Sequence, residues 1–375
     1  MLNVGVIGVG NCGNQVCLKA HSRLGVDVLA INSSEEDLSR MPETITKILI
    51  GDSKGVGKDR LEAKMFLKPK VMQLIKSEEF IDFMDKDVVY VVSSCGGGTG
   101  SGITPMLVDI LKHAFPDVNT IAIGAMPSSK ESLVTQSNGL EYLKELFSIE
   151  GVTYMLYDNG KNFDTPAHMV LPVINDAIVD DIEVLMGTYQ VPTDLNSIDR
   201  KDSIRLTSIA GNLRVVSRKD IREKDLDNNT VGKMLVDAMK ESRHVDFQRD
   251  KVLKGLGVIS NLSERISMKF DTSVPELMEF VGEPKLVDFQ HTAINKDDAM
   301  LNSVFVILSG MSRPNDYIAE LQERVNNMVE NHKESKADDV EIDISGLSTI
   351  KEKPAKVKEE DVVNIDDILA KYGLS

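Results

Sequence analysis

A dense glycine cluster at Gly96–Gly102 reads Gly-Gly-Gly-Thr-Gly-Ser-Gly. Five glycines in seven positions let the backbone turn tightly and point successive N–H groups at an anion. The helix predicted after the loop adds the partial positive charge of its N-terminus. The polyphosphate of a nucleotide is the natural ligand of such a loop. The expected contacts are Gly96, Gly97, Gly98, Thr99, Gly100, Ser101 and Gly102. The loop holds no lysine, so backbone N–H groups and Mg²⁺ would have to neutralise the phosphates.

A second glycine loop, Gly8–Gly13, satisfies the dinucleotide-binding pattern G-x-G-x-x-G after the first predicted strand. A dinucleotide site also needs an acidic residue about 20 positions later, at the end of the second strand. This chain has Asn32 there, and two glutamates follow closely. The segment Gly55–Lys58 lacks P-loop spacing, and Asp59 replaces the Ser or Thr that would hold magnesium, so we exclude a P-loop.

Short β-branched runs alternate with helix-length stretches over the first 157 residues. This alternation is typical of a parallel sheet with helices on both faces. The predicted strands are Asn3–Ile7, Val26–Ile31, Asp87–Ser93, Asn119–Ala125 and Val152–Leu156. Ligands of such sheets bind outside the carboxyl ends of the strands, and both glycine loops lie there. The fold class is therefore α/β, beginning with a Rossmann-like domain.

After a long amphipathic stretch, the second half of the chain has the pattern of a smaller α+β unit. We predict strands at Asn212–Ser217, Lys251–Ser260, Leu286–Ile294 and Ser303–Leu308, with helices near Thr230–Ser242 and Pro314–Asn331. The predicted organisation is a nucleotide-binding domain over residues 1–164, a central helix over 165–186, a smaller α+β domain over 187–330 and a charged flexible tail over 331–375. At the end of the tail, apolar residues recur at helical spacing over Val362–Tyr372. This pattern predicts a short helix that folds against a partner or docks on its own domain.

The composition limits the kind of protein. The formal charge of −16 argues against a broad nucleic-acid-binding face and leaves a basic protein partner open. Three cysteines in 375 residues fit a reducing compartment, and no apolar run approaches the roughly 20 residues that span a bilayer. The N-terminus has no signal-peptide pattern, so we expect a cytoplasmic protein without membrane insertion. Six scattered histidines and no Cys-x-x-Cys pair predict no protein metal site.

Gly96–Gly102 resembles the signature loop of the tubulin/FtsZ superfamily of polymerising GTPases. Gly10–Gln15 is similar to the first phosphate loop of eukaryotic tubulin, and Ala30–Ser33 resembles the segment after the second strand in FtsZ. The resemblance implies the tubulin/FtsZ fold, GTP and GDP as ligands with Mg²⁺, and head-to-tail filaments in which the next subunit completes hydrolysis. The nucleotide contacts that it implies here are Gly10, Asn11, Cys12, Gln15 and Asn32.

The same resemblance suggests how guanine is recognised. Asn159 occupies the position of the family's guanine-reading asparagine, and Asn175 with Asp176 on the central helix is similar to an Asn-Asp pair of FtsZ. A carboxylate at Asp176 could accept hydrogen bonds from both guanine donors. Ordinary polarity on a helix surface is the alternative. No counterpart of the family's ribose-side Glu and Arg is found, and Lys130 and Glu131 are candidates only.

Past the central helix, Asp199 and Asp202 match two FtsZ aspartates three residues apart that enter the neighbouring subunit's nucleotide pocket. Their implied role is to orient and polarise the attacking water. Asn196 is the third implied catalytic residue, although it precedes Asp199 by three residues where FtsZ has two. Carboxylates at this spacing also cap helix N-termini, which is the alternative role.

Within the superfamily the chain resembles most the TubZ group of plasmid and phage partition proteins. Its acidic tail would suit a basic, DNA-binding adaptor, so DNA segregation through that adaptor is the expected role, without direct nucleic-acid contact. An FtsZ-type cell-division filament is the alternative. A NAD-dependent dehydrogenase using Gly8–Gly13 is disfavoured by the missing acid at Asn32, and a non-hydrolysing filament would bind GTP without releasing phosphate.

Overall fold

One sheet runs through the molecule. The computed structural model describes residues 1–161, 169–227, 229–249, 253–282, 284–296, 301–335 and 365–374. Within those residues, ten strands form a sheet of order β3-β2-β1-β4-β5-β6-β7-β10-β8-β9. The strands are β1 (Val4–Val9), β2 (Asp27–Asn32), β3 (Thr46–Leu49), β4 (Val88–Ser94), β5 (Asn119–Met126), β6 (Thr153–Asp158), β7 (Gly211–Arg218), β8 (Leu253–Ser263), β9 (Pro284–Asn295) and β10 (Ser303–Met311).

Helices connect most of these strands. They are α1 (Gly10–Leu24), α2 (Glu35–Ser39), α3 (Arg60–Leu74), α4 (Glu78–Phe83), α5 (Thr99–Ala114), α6 (Leu133–Phe147), α7 (Val170–Leu185), α8 (Arg200–Ser208), α9 (Val231–Lys240), α10 (Glu264–Ser267), α11 (Pro275–Val281), α12 (Asn315–Ser335) and α13 (Ile365–Lys371). In the part of the chain that the structure describes, none of them combines the length and apolar composition needed to cross a membrane.

The first seven strands of the sheet order pair in parallel, which confirms the predicted α/β class. β10 pairs antiparallel with both β7 and β8. The sheet has two halves, one formed by β1 to β6 and the other by β7 to β10. The junction between them is narrow, because β6 and β7 pair only through Thr153 with Gly211 and Tyr154 with Asn212. The sheet is therefore continuous across the boundary drawn from the sequence, and the division into domains stays a proposal.

Buried side chains cover both faces of the parallel strands. One apolar cluster joins the strands to α3, α5, α6 and α12, and a second joins them to α1 and α7. A third cluster lies among β7, β8, β10, α9 and α11. The parallel strands are buried on both sides, so they have the continuous apolar runs from which they were predicted.

The C-terminal elements differ in part from the expected tail. α12 continues to Ser335, past the boundary expected at residue 330. The charged stretch from residue 336 to residue 364 lies outside the described residues. α13 packs against α5 of its own chain, which is the docking alternative left open by the sequence.

Candidate functional site

A cavity of about 370 Å³ lies at the carboxyl ends of β1, β2 and β4. The strand order reverses around β1, because β2 lies on one side of it and β4 on the other, and α/β proteins commonly bind ligands at such a point. The cavity is lined by Val9, Gly10, Asn11, Cys12, Asn32, Ser33, Ser34, Asp37, Lys54, Gly55, Val56, Gly57, Lys58, Ser94, Gly97, Gly98, Thr99 and Gly100. The two predicted glycine loops therefore share one site.

The two loops meet closely because both lack side chains at the contact. Gly10 has a φ of +72°, and a Cβ there would lie 3.2 Å from the amide nitrogen of Gly100. The hydroxyls of Ser33 and Thr99 are 2.7 Å apart, which joins the end of β2 to the start of α5. The N-termini of α1 and α5 thus converge on the cavity, and their free N–H groups favour an anion.

Asn138 on α6 holds the glycine loop through hydrogen bonds to its backbone. Its Nδ2 lies 3.3 Å and 3.2 Å from the carbonyl oxygens of Gly96 and Gly97 and donates to them. It also donates to the carbonyl of Lys58 at 3.0 Å. One buried amide therefore holds the glycine loop and the segment 54–58 together. Asn138 was not predicted from the sequence, since nothing in its local pattern marks it.

Gly55–Lys58 lacks P-loop spacing, yet with Lys54 it forms one wall of the cavity. The Nζ of Lys58 donates to Thr135 Oγ1 at 2.6 Å across the glycine loop. Lys58 has a φ of +73°, a left-handed backbone conformation that is costly for a residue with a side chain. Lys54 and Lys58 therefore bring two cations to a site whose glycine loop has none. The rejected Gly-x-Gly-Lys pattern was the signal that could have identified them.

Several predicted contacts lie beside the cavity and not on its wall. Gly96, Ser101 and Gly102 belong to the glycine loop and the first turn of α5, and Gln15 lies exposed in the second turn of α1. Asn175 is buried, and its Oδ1 accepts from the Cys12 thiol at 3.8 Å. Removal of the Cys12 thiol from water raises its pKa to about 12, so it is a neutral contact.

The base-reading candidates differ in position. Asn159 ends up at the carboxyl edge of the sheet after β6, where its N–H donates to the carbonyl of Met126. Its side-chain Oδ1 is buried and has no hydrogen-bond partner among the described residues. Asp176 is paired with α1 instead, 2.5 Å from Lys19 Nζ and 3.6 Å from Arg23 Nη1. The structure therefore does not bring Asp176 to the cavity, and its contact with guanine stays a prediction.

Two of the three predicted catalytic residues, Asp199 and Asp202, lie at the opposite end of the parallel strands, where α8 begins. Asp199 is the N-cap of α8, and Arg200 forms an ion pair with Asp87, the residue before β4. Burial opposes ionisation of Asp87, but hydrogen bonds from Arg200 and the Asn3 N–H outweigh it and hold its pKa below the ordinary value. The cavity lies beyond the other end of β4. Seven residues of strand separate the two edges by roughly 20 Å.

Asp199 and Asp202 cap their own helix, which was the alternative role. Asp199 Oδ1 accepts from the Asp202 N–H at 2.8 Å, and Asp202 Oδ2 accepts from the Asp199 N–H at 3.4 Å. Asp199 remains exposed and Asp202 half-exposed. Asn196 is also exposed, and its carbonyl accepts from the Thr292 N–H on β9. The capping role does not use every carboxylate oxygen, so the two roles are compatible.

The N-terminal part of the chain is similar to known proteins. Residues 3–165 match the family described as Tubulin/FtsZ family, GTPase domain. The tubulin-like protein CetZ of Pyrococcus horikoshii is 28% identical over 277 residues, which cover 70% of this chain and 74% of that protein. The tubulin-like protein TubZ of Clostridium botulinum C phage is 28% identical over 139 residues, which cover 36% of this chain and 38% of that protein.

A solved structure extends the likeness beyond the matched family region. The GTPγS-form protofilament of Bacillus thuringiensis serovar israelensis TubZ superposes with a TM-score of 0.74 at 17% identity, covering 90% of this chain and 95% of that chain. At this identity the likeness shows the fold alone. The similarity to CetZ proteins was not predicted from the sequence, and the TubZ assignment stays a prediction. The resemblance of this chain to the tubulin/FtsZ superfamily is confirmed by the match of residues 3–165 to the GTPase domain of that family.

Proposed function

We propose that the chain binds GTP in the cavity at β1, β2 and β4, hydrolyses it, and assembles head to tail into filaments. The observation that carries the proposal is the separation of the cavity from Asp199 and Asp202 by the length of β4. Within one molecule these carboxylates are too far away to reach a bound nucleotide. Stacking a second copy end to end places the carboxylate edge of one sheet against the cavity edge of the next.

The cavity suits a nucleoside polyphosphate. A Cβ built on Gly97 meets nothing within 4 Å, so the loop backbone faces open space there. The N-termini of α1 and α5 and the ammonium groups of Lys54 and Lys58 supply positive charge around that space. The family match over residues 3–165 supports GTP and GDP as the ligands.

Mg²⁺ fits this site as a companion of the phosphates. Among the described residues, no group of three or more His, Cys, Asp or Glu side chains could hold a metal ion. Magnesium bound with nucleotides usually needs one or two protein oxygens, and Asp37 and Thr99 offer them in the cavity wall. The ion would supply charge neutralisation at the terminal phosphates.

Asn159 is the base-reading residue that the structure supports best. Its buried Oδ1 has no partner among the described residues, and an unsatisfied buried acceptor costs about 1–3 kcal/mol. A guanine N–H at this position would remove that cost. Asn175, next to Cys12, is a second candidate on the same side of the sheet.

Filament formation is supported by the geometry and by the form in which the Bacillus thuringiensis relative was solved, a protofilament. A head-to-tail contact joins two different surfaces and repeats without closing. For the cellular role, we propose transport of DNA through a basic adaptor bound by the acidic tail, as the resemblance to TubZ suggests. The free state of all three cysteines fits the cytoplasm.

The test of this function is the dependence of phosphate release on protein concentration. We expect the GTPase rate per subunit to rise steeply above a threshold concentration, because each active site needs two copies. Light scattering on the same samples measures assembly. A rate per subunit that does not change with concentration would contradict hydrolysis in trans.

Variants of the capping box separate catalysis from folding. Asp199→Ser and Asp202→Gln retain capping side chains at both positions, so helix stability should change by only about 0.5 kcal/mol. They remove both carboxylates, so we expect GTP-dependent filaments with little phosphate release. Filaments that release phosphate at the wild-type rate would show that the aspartates serve α8 alone.

A further inference from the structure

The C-terminal helix α13 occupies a groove on its own GTPase domain. Its apolar face is buried there, with Ile368 3%, Leu369 4% and Tyr372 6% exposed. The opposite face carries the exposed Asp366 and Asp367. The groove lies over α5, with Lys64 of α3 at 5.2 Å from the Tyr372 ring on one side and Ser148, after α6, on the other.

The groove contains a buried carboxylate that the tail neutralises. Asp109 lies in the middle of α5, where its neighbours are apolar, and its side chain is 4% exposed. Lys371 Nζ lies 2.7 Å from its Oδ2, and the Tyr372 hydroxyl donates to the same oxygen at 3.3 Å. His113, one turn later on α5, lies 3.6 Å from Asp109 Oδ1, whereas the two partners of Oδ2 are more than 260 residues away in sequence. A buried acid with partners in the last turn of the chain indicates a specific docking site.

The C-terminal end of α13 has a regular hydrogen-bonded cap. Gly373 has a φ of +76°, the Gly373 N–H donates to the carbonyl of Ala370, and the Leu374 N–H donates to that of Leu369. These two bonds form a Schellman motif, which turns the chain back so that Leu374 is buried as well. A helix of seven residues is not stable alone in water, so its structure depends on the groove.

We propose that the groove beside Asp109 is a helix-binding site whose ligand is the chain's own C-terminal helix, and that a partner protein which binds the apolar face of the tail must first displace it. Ile368, Leu369 and Tyr372 form the face that an apolar cleft would bind, and all three are covered when α13 is docked. The groove and the partner therefore compete for one helix. This competition does not depend on the nucleotide chemistry proposed above.

Hydrogen exchange of the full chain tests the docking. We expect amides of residues 365–374 to be protected in the wild type and to exchange at least tenfold faster in Lys371→Glu, which places a second carboxylate beside Asp109. Lys371→Arg should retain protection. Lys233→Glu, the same charge change at an exposed site on α9, is the matched control. Unprotected amides in the wild type, protection that appears only at high protein concentration, or equal exchange in Lys371→Glu would overturn the proposal.

A peptide of residues 362–375 tests the site from the other side. The full chain with Leu369→Asp should leave its groove open, because a carboxylate replaces a buried leucine. We expect fluorescently labelled peptide to bind this variant at least tenfold more tightly than the wild type, whose groove is filled. A peptide that itself carries Leu369→Asp should bind neither protein. Equal affinity of the unaltered peptide for variant and wild type would overturn the proposal, while GTP hydrolysis would be unaffected by that result.

Discussion

At the scale of single residues, two adjacent glycines of the loop Gly96–Gly102 have different surroundings. A Cβ on Gly98 would lie 2.6 Å from Val56 Cγ2 and 2.8 Å from the Cα of Lys58, whereas a Cβ on Gly97 meets nothing within 4 Å. Glycine at position 98 thus lets the segment 54–58 pack against the loop. Gly97 leaves room for a ligand.

We expect Gly98→Ala to lower the free energy of unfolding of the nucleotide-free protein by about 1–3 kcal/mol, because the added methyl group strikes backbone. Gly97→Ala is the matched control and should leave that stability nearly unchanged. Urea unfolding without nucleotide measures both. Equal destabilisation by the two variants would show that the contact with Val56 and Lys58 is not what requires glycine.

We expect Lys58 to exchange its hydrogen bond with Thr135 for one with a phosphate when a nucleotide binds. Its ammonium group bonds a neutral hydroxyl, and a charge-assisted hydrogen bond to a terminal phosphate is stronger. We expect Lys58→Gln to weaken GTP binding about tenfold more than GDP binding, as measured by calorimetry. Lys233→Gln on α9 is the control for loss of charge. An equal loss for both nucleotides would place Lys58 away from the terminal phosphate.

The contacts of the glycine loops with a nucleotide stay a prediction, but the position of the loops beside one cavity could be predicted from the sequence, because both loops follow strands of a parallel sheet. Lys58 and Asn138 could not, because each acts through contacts with residues distant in the chain. Lys58 bonds Thr135, 77 positions away, and Asn138 bonds Lys58 from 80 positions away. The pairing of Asp176 with Lys19 could not be predicted from the sequence either, since it depends on how α7 packs on α1.

At the scale of elements, a buried polar cluster joins β6, α7 and the segment after α9. Asp181 Oδ2 accepts from the Tyr157 hydroxyl at 2.7 Å and lies 2.9 Å from His244 Nε2. The Tyr157 and His244 rings stack at 4.4 Å. Burial lowers the pKa of His244 below its ordinary value, although Asp181 opposes that shift.

The lowered pKa of His244 determines whether stability rises or falls with pH. The folded state disfavours protonated His244, so the unfolded state binds the proton first as the pH falls below about 6.5. The contribution of neutral His244 is therefore complete at about pH 7.5 and is lost toward pH 5.5, by on the order of 1 kcal/mol.

We expect His244→Asn to be less stable than the wild type at pH 7.5 and to show a smaller fall in unfolding free energy between pH 7.5 and pH 5.5. Urea unfolding at several pH values measures it. Asn327→Ala, at an exposed site on α12 that carries no titratable group, is the control and should keep the wild-type slope. An unchanged slope in His244→Asn would assign the pH effect to other groups.

Elements with strong patterns were predictable, and those fixed by tertiary contacts were not. The parallel strands have long apolar runs, whereas β3 has four residues at an edge of the sheet and was missed. The helix at α13 was predicted from its spacing, but the choice between a partner and its own domain depended on Asp109. The sequence does not distinguish Asp109 from other helix residues, because its contact with Lys371 of α13 depends on the fold.

At the scale of the whole molecule, the opposite placement of cavity and carboxylates predicts complementation between defective copies. One variant carries Asp199→Ser with Asp202→Gln, and the other carries Asn159→Ala, which we expect to weaken guanine binding. Each should release little phosphate alone. A one-to-one mixture should recover up to about a quarter of the wild-type rate, because one junction in four of a random head-to-tail polymer pairs two intact halves.

Phosphate release from the mixture, compared with the sum of the separate variants, measures this effect. The wild type mixed with either variant provides the reference for random incorporation. A mixture no more active than its components would mean that each copy uses its own carboxylates or that the variants do not copolymerise, and co-sedimentation distinguishes the two.

The two paired residues between β6 and β7 have a mechanical consequence. A sheet resists shear through its ladder of backbone bonds, and here that ladder is shortest where the half that carries the two glycine loops meets the half that carries β8, β9 and β10. Bending stress applied along a polymer of such subunits would concentrate at this seam. The stiffness of such a polymer would then depend on this seam inside each subunit as well as on the junctions between subunits.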